Sequence, residues 1–443
     1  MKTLVIGSGA REHAIAWALS RRGPGGAKGG RASERRERVF CAPGNAGTEG
    51  IARNLALDPE DPKAVVSACA ELGIGLVVIG PEGPLAAGLA DALAASGIPA
   101  FGPGRKAAAL EASKSFARSF SERHGVPCAR TERFSSLAAL DRYLDENRGR
   151  RVVLKKSGLA AGKGVLESDD RAELRGFGEA VLAADDLLAE EYLVGRELSV
   201  FALCDGRDWA LLPACADHKK AGPGDTGPNT GGMGAVCPLP FADAGVMERI
   251  TRDIVAPSFA GMEEEGLSYR GVLFFGVMLT AEGPRLLEYN VRFGDPETQS
   301  LLPLLASDLG SLCESAALGR LASARPAFSA EVACGVVVAA PGYPAHYPKG
   351  LAVDLGLAEG SAGAGQPEID VDGIPGPEAL LFHASTARDP AGQLRTGGGR
   401  CFTAVGLGPD WPTARDRAYD LAGEVRFEGA WYRRDIGTRI FGS

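Results

Sequence analysis

Val152-Val153-Leu154-Lys155-Lys156-Ser157-Gly158-Leu159-Ala160-Ala161-Gly162-Lys163-Gly164-Val165 reads as a strand, a glycine loop and the start of another strand. A lysine on a strand edge, Lys155, can reach α- and β-phosphates, while loop N–H groups lie over β- and γ-phosphates. The spacing is not that of Walker A, and no helix follows the loop, so a P-loop fold is set aside.

Upstream, strand and helix alternate. Leu4-Val5-Ile6 is a short buried strand, followed by a glycine turn and a helical pattern from Glu12 to Ser20. Val39 to Ala42, Leu76 to Ile79 and Ile98 to Phe101 read as further strands, each ending in Gly or Pro. This is the pattern of a parallel sheet with ligands at its strand C-terminal ends. Gly7-Ser8-Gly9-Ala10-Arg11-Glu12 lacks the third glycine of a dinucleotide fingerprint, and no acid ends the second strand to hold a ribose, which argues against NAD. A phosphate at the helix N-terminus beside Arg11 and a plain tight turn both remain open. The run from Arg22 to Arg31 is glycine-rich and reads as a surface insertion. A helical stretch is expected from Lys106 to His124.

Downstream, strands are expected at Leu187 to Glu190, Leu198 to Phe201, Val272 to Leu279 and Leu286 to Tyr289. A helix from about Ala172 to Ala184 runs almost directly into Leu187. The run Asp217-His218-Lys219 through Gly231-Gly232-Met233-Gly234 combines two acids, three cations and a cluster of glycines with almost nothing to pack in a core. It reads as a loop that a site, rather than packing, must order. In Glu288-x-Asn290, residues i and i+2 of a strand point to one face, so a carboxylate and an amide oxygen converge there. Hard oxygen donors of this kind hold Mg²⁺ together with substrate phosphates. Strands at Val332 to Ala339 and Cys401 to Val405, with a helix near Thr413 to Val425, read as a smaller final unit.

At 443 residues the chain needs several cores; 45% apolar and 23% charged residues describe a soluble globular protein. A net charge of −8 argues against nucleic-acid or anionic-membrane binding. No run is apolar for the roughly 20 residues of a membrane span, and the start is too short in its apolar part for a signal peptide. Nine scattered cysteines without a Cys-x-x-Cys pair suit a reducing cytoplasm and give no zinc site.

Together these residues resemble the ATP-grasp superfamily and, within it, the phosphoribosylamine–glycine ligase (glycinamide ribonucleotide synthetase) family of purine synthesis. The resemblance spans nearly the whole chain, and its most specific parts are the Asp217 loop and Arg292-Phe293-Gly294-Asp295-Pro296-Glu297-Thr298. It implies a multidomain α/β and α+β protein. A Rossmann-like parallel-sheet domain covers 1–103, an ATP-grasp domain 104–323 with a lid subdomain at about 125–195, and a small α+β domain 324–443. It also implies ATP-dependent joining of glycine to 5-phosphoribosylamine through a glycyl phosphate, in a cytoplasmic monomer or weak homodimer.

Carried over residue by residue, the resemblance assigns Lys114 and Lys155 to the α/β-phosphates and Gly162, Lys163 and Gly164 to the β/γ-phosphates. Glu190 and Leu193 frame adenine, and Glu197 the ribose. Glu288 and Asn290 hold Mg²⁺ or Mn²⁺. Arg292 neutralises developing charge, with Lys219 nearby, and Asp217 and Asp295 orient or deprotonate the amine. Gly9, Arg11, Asn45 and Gly231 to Gly234 contact substrate.

Two departures stand out. Ser157 replaces a loop carboxylate the family usually carries, and the phosphate lid before Leu187 is short, so leakage of ATP to water is the specific risk. The competing readings are a sibling ATP-grasp ligase or carboxylase and a catalytically impaired nucleotide-binding protein.

Overall fold

The structure, a computed structural model, describes residues 1–21, 38–159, 164–356 and 378–441. The glycine-rich insertion after Arg22, Gly162 and Lys163 lie outside the described residues.

The first sheet runs in the order Arg53–Asn54, Val39–Pro43, Thr3–Gly7, Leu76–Ile79, Ala100–Phe101, with every pair parallel. Leu4, Val5 and Ile6 are all fully buried, as expected of a sheet covered on both faces. The C-terminal ends of its strands bring Gly9, Asn45 and Glu82 to one edge.

The stretch expected to be one helix from Lys106 to His124 is two, Arg105–Ala112 and Lys114–Arg123. Ser113 takes an extended conformation between them, and its hydroxyl accepts from Phe116 N at 3.2 Å, capping the second helix. The break puts Lys114 at a helix N-terminus, where its backbone N donates to Ser157 O at 2.9 Å.

A four-stranded antiparallel sheet follows, ordered Thr131–Phe134, Leu187–Glu191, Val152–Lys156, Val165–Ser168. Helices Leu137–Glu146 and Arg171–Leu182 cover it, and Phe134, Leu140, Leu154, Leu174 and Leu187 form its own small core. A second antiparallel sheet, Trp209–Leu211, Arg196–Cys204, Gly271–Thr280, Gly283–Asn290, lies opposite. Cys128, just before the first of these sheets, bridges to Leu286 of the second, and Lys155 Nζ of the first reaches Leu287 O of the second at 3.4 Å, so the two sheets face a common cleft.

The Asp217 run is more ordered than its composition predicts. Lys220–Gly222 and Thr226–Asn229 pair as a hairpin, while Ala216–Asp217 and Gly234–Cys237 join the final sheet. That sheet is ordered Ala216–Asp217, Gly234–Cys237, Val332–Ala339, Arg400–Gly408, Ala379–His383, so it is not built from the last hundred-odd residues alone. His218 and Met233 are almost completely buried in it, and the run contributes to a core after all. Arg433, also buried, anchors the hairpin from the C-terminal side: it donates to Lys220 O at 2.8 Å and pairs with Asp225 and Asp435. No helix among the described residues is long and apolar enough to cross a membrane.

Candidate active site

The cleft between the two antiparallel sheets gathers the expected cations. Lys155 reaches Glu190 Oε2 at 2.7 Å, and Glu190 is held from its other side by Arg118 at 2.6 Å. Burial pushes the Glu190 carboxyl up, but Lys155 and Arg118 outweigh it and hold the group below the usual carboxylate range. The Glu190 side chain is therefore committed to fixing Lys155, and only its strand backbone is left to frame a base. Lys114 Nζ donates to Gly158 O at 3.4 Å, at the mouth of the glycine loop. Leu193 is part-buried in the turn after Leu187–Glu191. Tyr192 and Val194 beside it are exposed, which suits a flat apolar ring, while Leu159, also exposed, lies past the other end of Val152–Lys156, whose Val152 pairs with Glu191 and Lys156 with Leu187.

Ser157 links the loop to the second helix: its hydroxyl lies 3.0 Å from that of Ser115. A different carboxylate reaches the start of the loop. Asp185, in the short turn before Leu187, accepts from Gly158 N at 3.1 Å and sits 3.7 Å from Lys156 Nζ.

Strand Gly283–Asn290 carries Glu288 and Asn290. A register shift opposite Gly276 and Val277 leaves Leu287 bulged, and its carbonyl accepts from Arg118 at 2.8 Å and from Lys155 at 3.4 Å. Gly276 leaves room for Glu288; a Cβ there would stand 3.1 Å from Glu288 Cγ. Burial raises the Glu288 carboxyl, but Lys219, Lys155, Lys114 and Arg292 together pull it down to about 2. Lys219 bridges Glu288, 3.7 Å away, and Glu197, to which it donates a hydrogen bond, so the expected ribose acid is already ion-paired.

Asn290 Oδ1 accepts from Arg292 Nη2 at 3.0 Å, while its Nδ2 is buried without a partner. A permanently ionised carboxylate and an amide oxygen on one strand face are a donor set that fits a hard divalent cation. Among the described residues no group of three His, Cys, Asp or Glu could hold a metal by itself, so phosphate oxygens would have to complete the shell.

Arg292 is fixed by two acids that the sequence reading gave no role. Its Nη2 donates to Glu111 at 2.7 Å, and its Nε lies 3.6 Å from Glu82. Glu111 also accepts from Val291 N at 2.7 Å, so it shapes the turn that presents Arg292. Burial disfavours the cation, but Glu111 and Glu82 favour it more, and Arg292 stays charged at any working pH.

Across the cleft lie the two aspartates, in different electrostatic surroundings. Burial raises Asp295, but Arg400 and Arg11 outweigh it and keep Asp295 ionised. Burial also raises Asp217, Glu297 raises it further, and the net direction is strongly upward. Glu297, which accepts from Ser199 at 2.8 Å, is raised too. The charge of Glu297 thus adds to burial in raising the proton affinity of Asp217. Asp217 Oδ1 has no hydrogen-bond partner. Gly232, at φ +103°, packs against Asp217: a Cβ would stand 2.6 Å from Asp217 Oδ1 and 2.4 Å from Pro296 Cδ. Gly231 N donates to Tyr343 at 2.9 Å. Met233, expected to contact substrate, is instead a core side chain whose N and O are both bonded within the fold. Gly234 is likewise packed against Gly335 O and Ile436.

The phosphate expected at Gly9 and Arg11 meets a filled site. Glu12 Oε2 accepts from Gly9 N at 2.6 Å, and Glu12 Oε1 from Arg11 Nε at 2.5 Å. The helix N-terminus is capped by the helix's own carboxylate, and a second anion there would be repelled. Arg11 Nη1 continues to Phe293 O at 3.1 Å, which braces the Arg292–Asp295 turn. Asn45 spends its amide on Ser8 O and His383 O and its oxygen on Gly47 N and Thr48 N. Arg11 and Asn45 thus hold backbone in place, while Gly9 lies close to Asp295, whose Oδ2 is 3.5 Å from where a Cβ would be.

Models of the phosphoribosylglycinamide synthetase family match in three parts: the N domain over residues 1–111, the ATP-grasp (A) domain over 112–298 and the C domain over 333–439. The chain belongs to the phosphoribosylglycinamide synthetase family. It is 40% identical to a phosphoribosylamine–glycine ligase of Allochromatium vinosum over 99% of this chain and 98% of that protein. It is also 40% identical to the trifunctional purine biosynthetic protein adenosine-3 of Gallus gallus, of which it spans 42%. A crystal structure of phosphoribosylamine–glycine ligase from Thermotoga maritima superposes with a TM-score of 0.79 at 33% identity, covering 98% of this chain and all of that one. A Campylobacter jejuni biotin carboxylase, at 14% identity and a TM-score of 0.67 over 97% of this chain and 92% of that one, shares the fold alone. The phosphoribosylglycinamide synthetase N-domain match ends at Glu111, the residue that clasps Arg292.

Proposed function

We propose that this chain joins glycine to 5-phosphoribosylamine using ATP, giving glycinamide ribonucleotide, ADP and phosphate. The observation that carries the reading is the pairing, in one cleft, of an ionised Glu288 beside Lys219, Lys155, Lys114 and Arg292 with a separate buried carboxyl, Asp217, whose Oδ1 has no partner and whose proton affinity is raised. The first set suits phosphoryl transfer and the second an amine that must lose a proton.

A carboxylate is a poor electrophile. Transfer of the γ-phosphoryl group to a glycine carboxylate oxygen makes glycyl phosphate, whose phosphate is a good leaving group. Lys114 and Lys155 bind the α/β-phosphates, and Gly164 lines the β/γ end. Leu193 and the exposed apolar residues beside it receive adenine, and Glu197 the ribose. Lys219 and Arg292 offset charge on the transferring group. Glu288 and Asn290 hold Mg²⁺ or Mn²⁺, which when bound neutralises phosphate charge. In the second half the amine nitrogen bonds to the glycyl carbonyl carbon, and the carbon–oxygen bond to phosphate breaks. The displaced proton passes to the Asp217 carboxylate, while Asp295 orients the amine beside Gly9 and Gly231.

Replacing Glu288 by Gln tests the first half. The expected result is a fall in kcat of about 10²- to 10³-fold at saturating divalent metal, with metal-free ATP binding retained. An unchanged kcat would remove Glu288 from the mechanism.

A further inference from the structure

Arg400 opens the strand Arg400–Gly408, in the part of the chain matched by the C domain, and reaches across to the acid side of the cleft. Its Nη2 lies 3.2 Å from Asp295 Oδ2, and its Nη1 donates to Asp295 O at 3.0 Å, to Gly232 O at 3.4 Å and to Gly231 O. One guanidinium thus ties the Asp295 turn to the Gly231–Gly232 turn, and Gly232 in turn packs against Asp217. Nη1 serves both turns while Nη2 pairs with the Asp295 carboxylate, a combination that uses the planar fork of arginine and that a single lysine nitrogen does not reproduce. Tyr343 supports the same turn from the same side, accepting from Gly231 N, and Gly399 lets the strand pass Tyr343, whose ring would be 2.2 Å from a Cβ. These bonds all run to the groups assigned to the amine, none to the cation ring around Glu288.

We propose that Arg400 is a positioning residue for the acyl-transfer half of the reaction, setting the spacing of Asp217 and Asp295 at which the amine attacks. The proposal rests on the ligase reading above. It divides the labour of the cleft: Arg292, clasped by Glu82 and Glu111, serves phosphoryl transfer, and Arg400 serves the bond-forming step that follows. The N–H proton leaves toward Asp217, the phosphate departs with the bonding pair, and neither event needs Arg400 to touch substrate.

The test counts ADP and glycinamide ribonucleotide in the same acid-quenched samples at early times, with ATP, glycine and phosphoribosylamine all present. Full-length wild type, Arg400→Met and Arg400→Lys are compared. For Arg400→Met, product should fall about 10²-fold, the cost of a misplacement of about 1 Å. ADP from the first turnover should persist, so that ADP exceeds product whether the acyl phosphate accumulates or hydrolyses. Arg400→Lys should show the same excess in milder form. ADP and product falling together in a one-to-one ratio, or neither falling, would overturn the proposal. If Arg400→Met makes no ADP because it does not fold, wild-type behaviour of Arg400→Lys overturns it equally. A wild type that makes no product refutes the ligase reading instead.

Discussion

Glu297 shows how one neighbour sets the chemistry of another. It lies in the helix Glu297–Leu301, and its charge is among the causes that raise Asp217. Replacing it by Gln removes that charge and lowers the proton affinity of Asp217. A base of lower pKa is free at lower pH, so the acid limb of the kcat profile should move to lower pH; a move to higher pH would contradict the assignment. The residues that motifs made legible were Glu288, Asn290, Arg292, Asp217 and Asp295, because each sits in a short run whose spacing has a chemical reason. Glu111, Asp185, Glu297 and Arg400 were not legible as partners. Glu111 meets Arg292 across 181 positions of sequence, and Arg400 meets Asp295 across 105. No local pattern records such a pairing. Arg11 and Asn45 misled for the opposite reason: their residue types suit a phosphate or a sugar, but nearby backbone and Glu12 had already claimed them.

At the scale of elements, alternation of strand and helix read the parallel sheet correctly, since a buried strand is a continuous apolar run. The helix break at Ser113 was missed because serine is tolerated inside helices and announces a cap only when the chain turns. The hairpin at Lys220–Asn229 was hidden by its glycines and charges, which on composition alone describe a solvated loop. Its order comes from outside, from Arg433 and its carboxylate partners. Arg433→Met should leave Asp435 without its cation and Asp225 with Arg439 alone, and remove the bond to Lys220 O, at a cost of about 1–3 kcal/mol of stability. A thermal melt compared with wild type checks this; an unchanged Tm would mean that the hairpin holds without the tail.

The molecule as a whole is joined at buried histidines. His383, in the final sheet, donates its backbone N to His13 Nδ1 at 2.9 Å, tying it to the first domain's helix. His218 accepts from Gly437 N at 2.9 Å, tying the final sheet to the C-terminal tail. Burial lowers all three: His13 well below its usual value, His218 to about 4 and His383 to about 3. Below the unfolded value near 6.5 the unfolded chain binds protons that the folded protein refuses, so stability present above that pH declines as the pH falls toward 4. Each such histidine contributes at most about 1.4 kcal/mol per pH unit. Tm measured from pH 7 to pH 5 should fall, and His383→Asn should fall less steeply than wild type over that interval. A parallel slope would show that the histidines are not the source.

Because the groups of the candidate site come from every part of the chain, with Gly9 beside the first sheet, Lys155 from the sheet ordered Thr131–Phe134 to Val165–Ser168, Glu288 from the sheet opposite and Arg400 from the last, their joint action is the central claim. It is tested most directly by measuring ADP and glycinamide ribonucleotide in three mixtures: ATP with glycine, ATP with phosphoribosylamine, and ATP with both. ADP should appear in quantity only with both amine and acid, matched one to one by product, which also means that the short lid keeps water from the acyl phosphate. ADP formed from glycine alone at the full rate, or no ADP in any mixture while ATP still binds, would contradict the account.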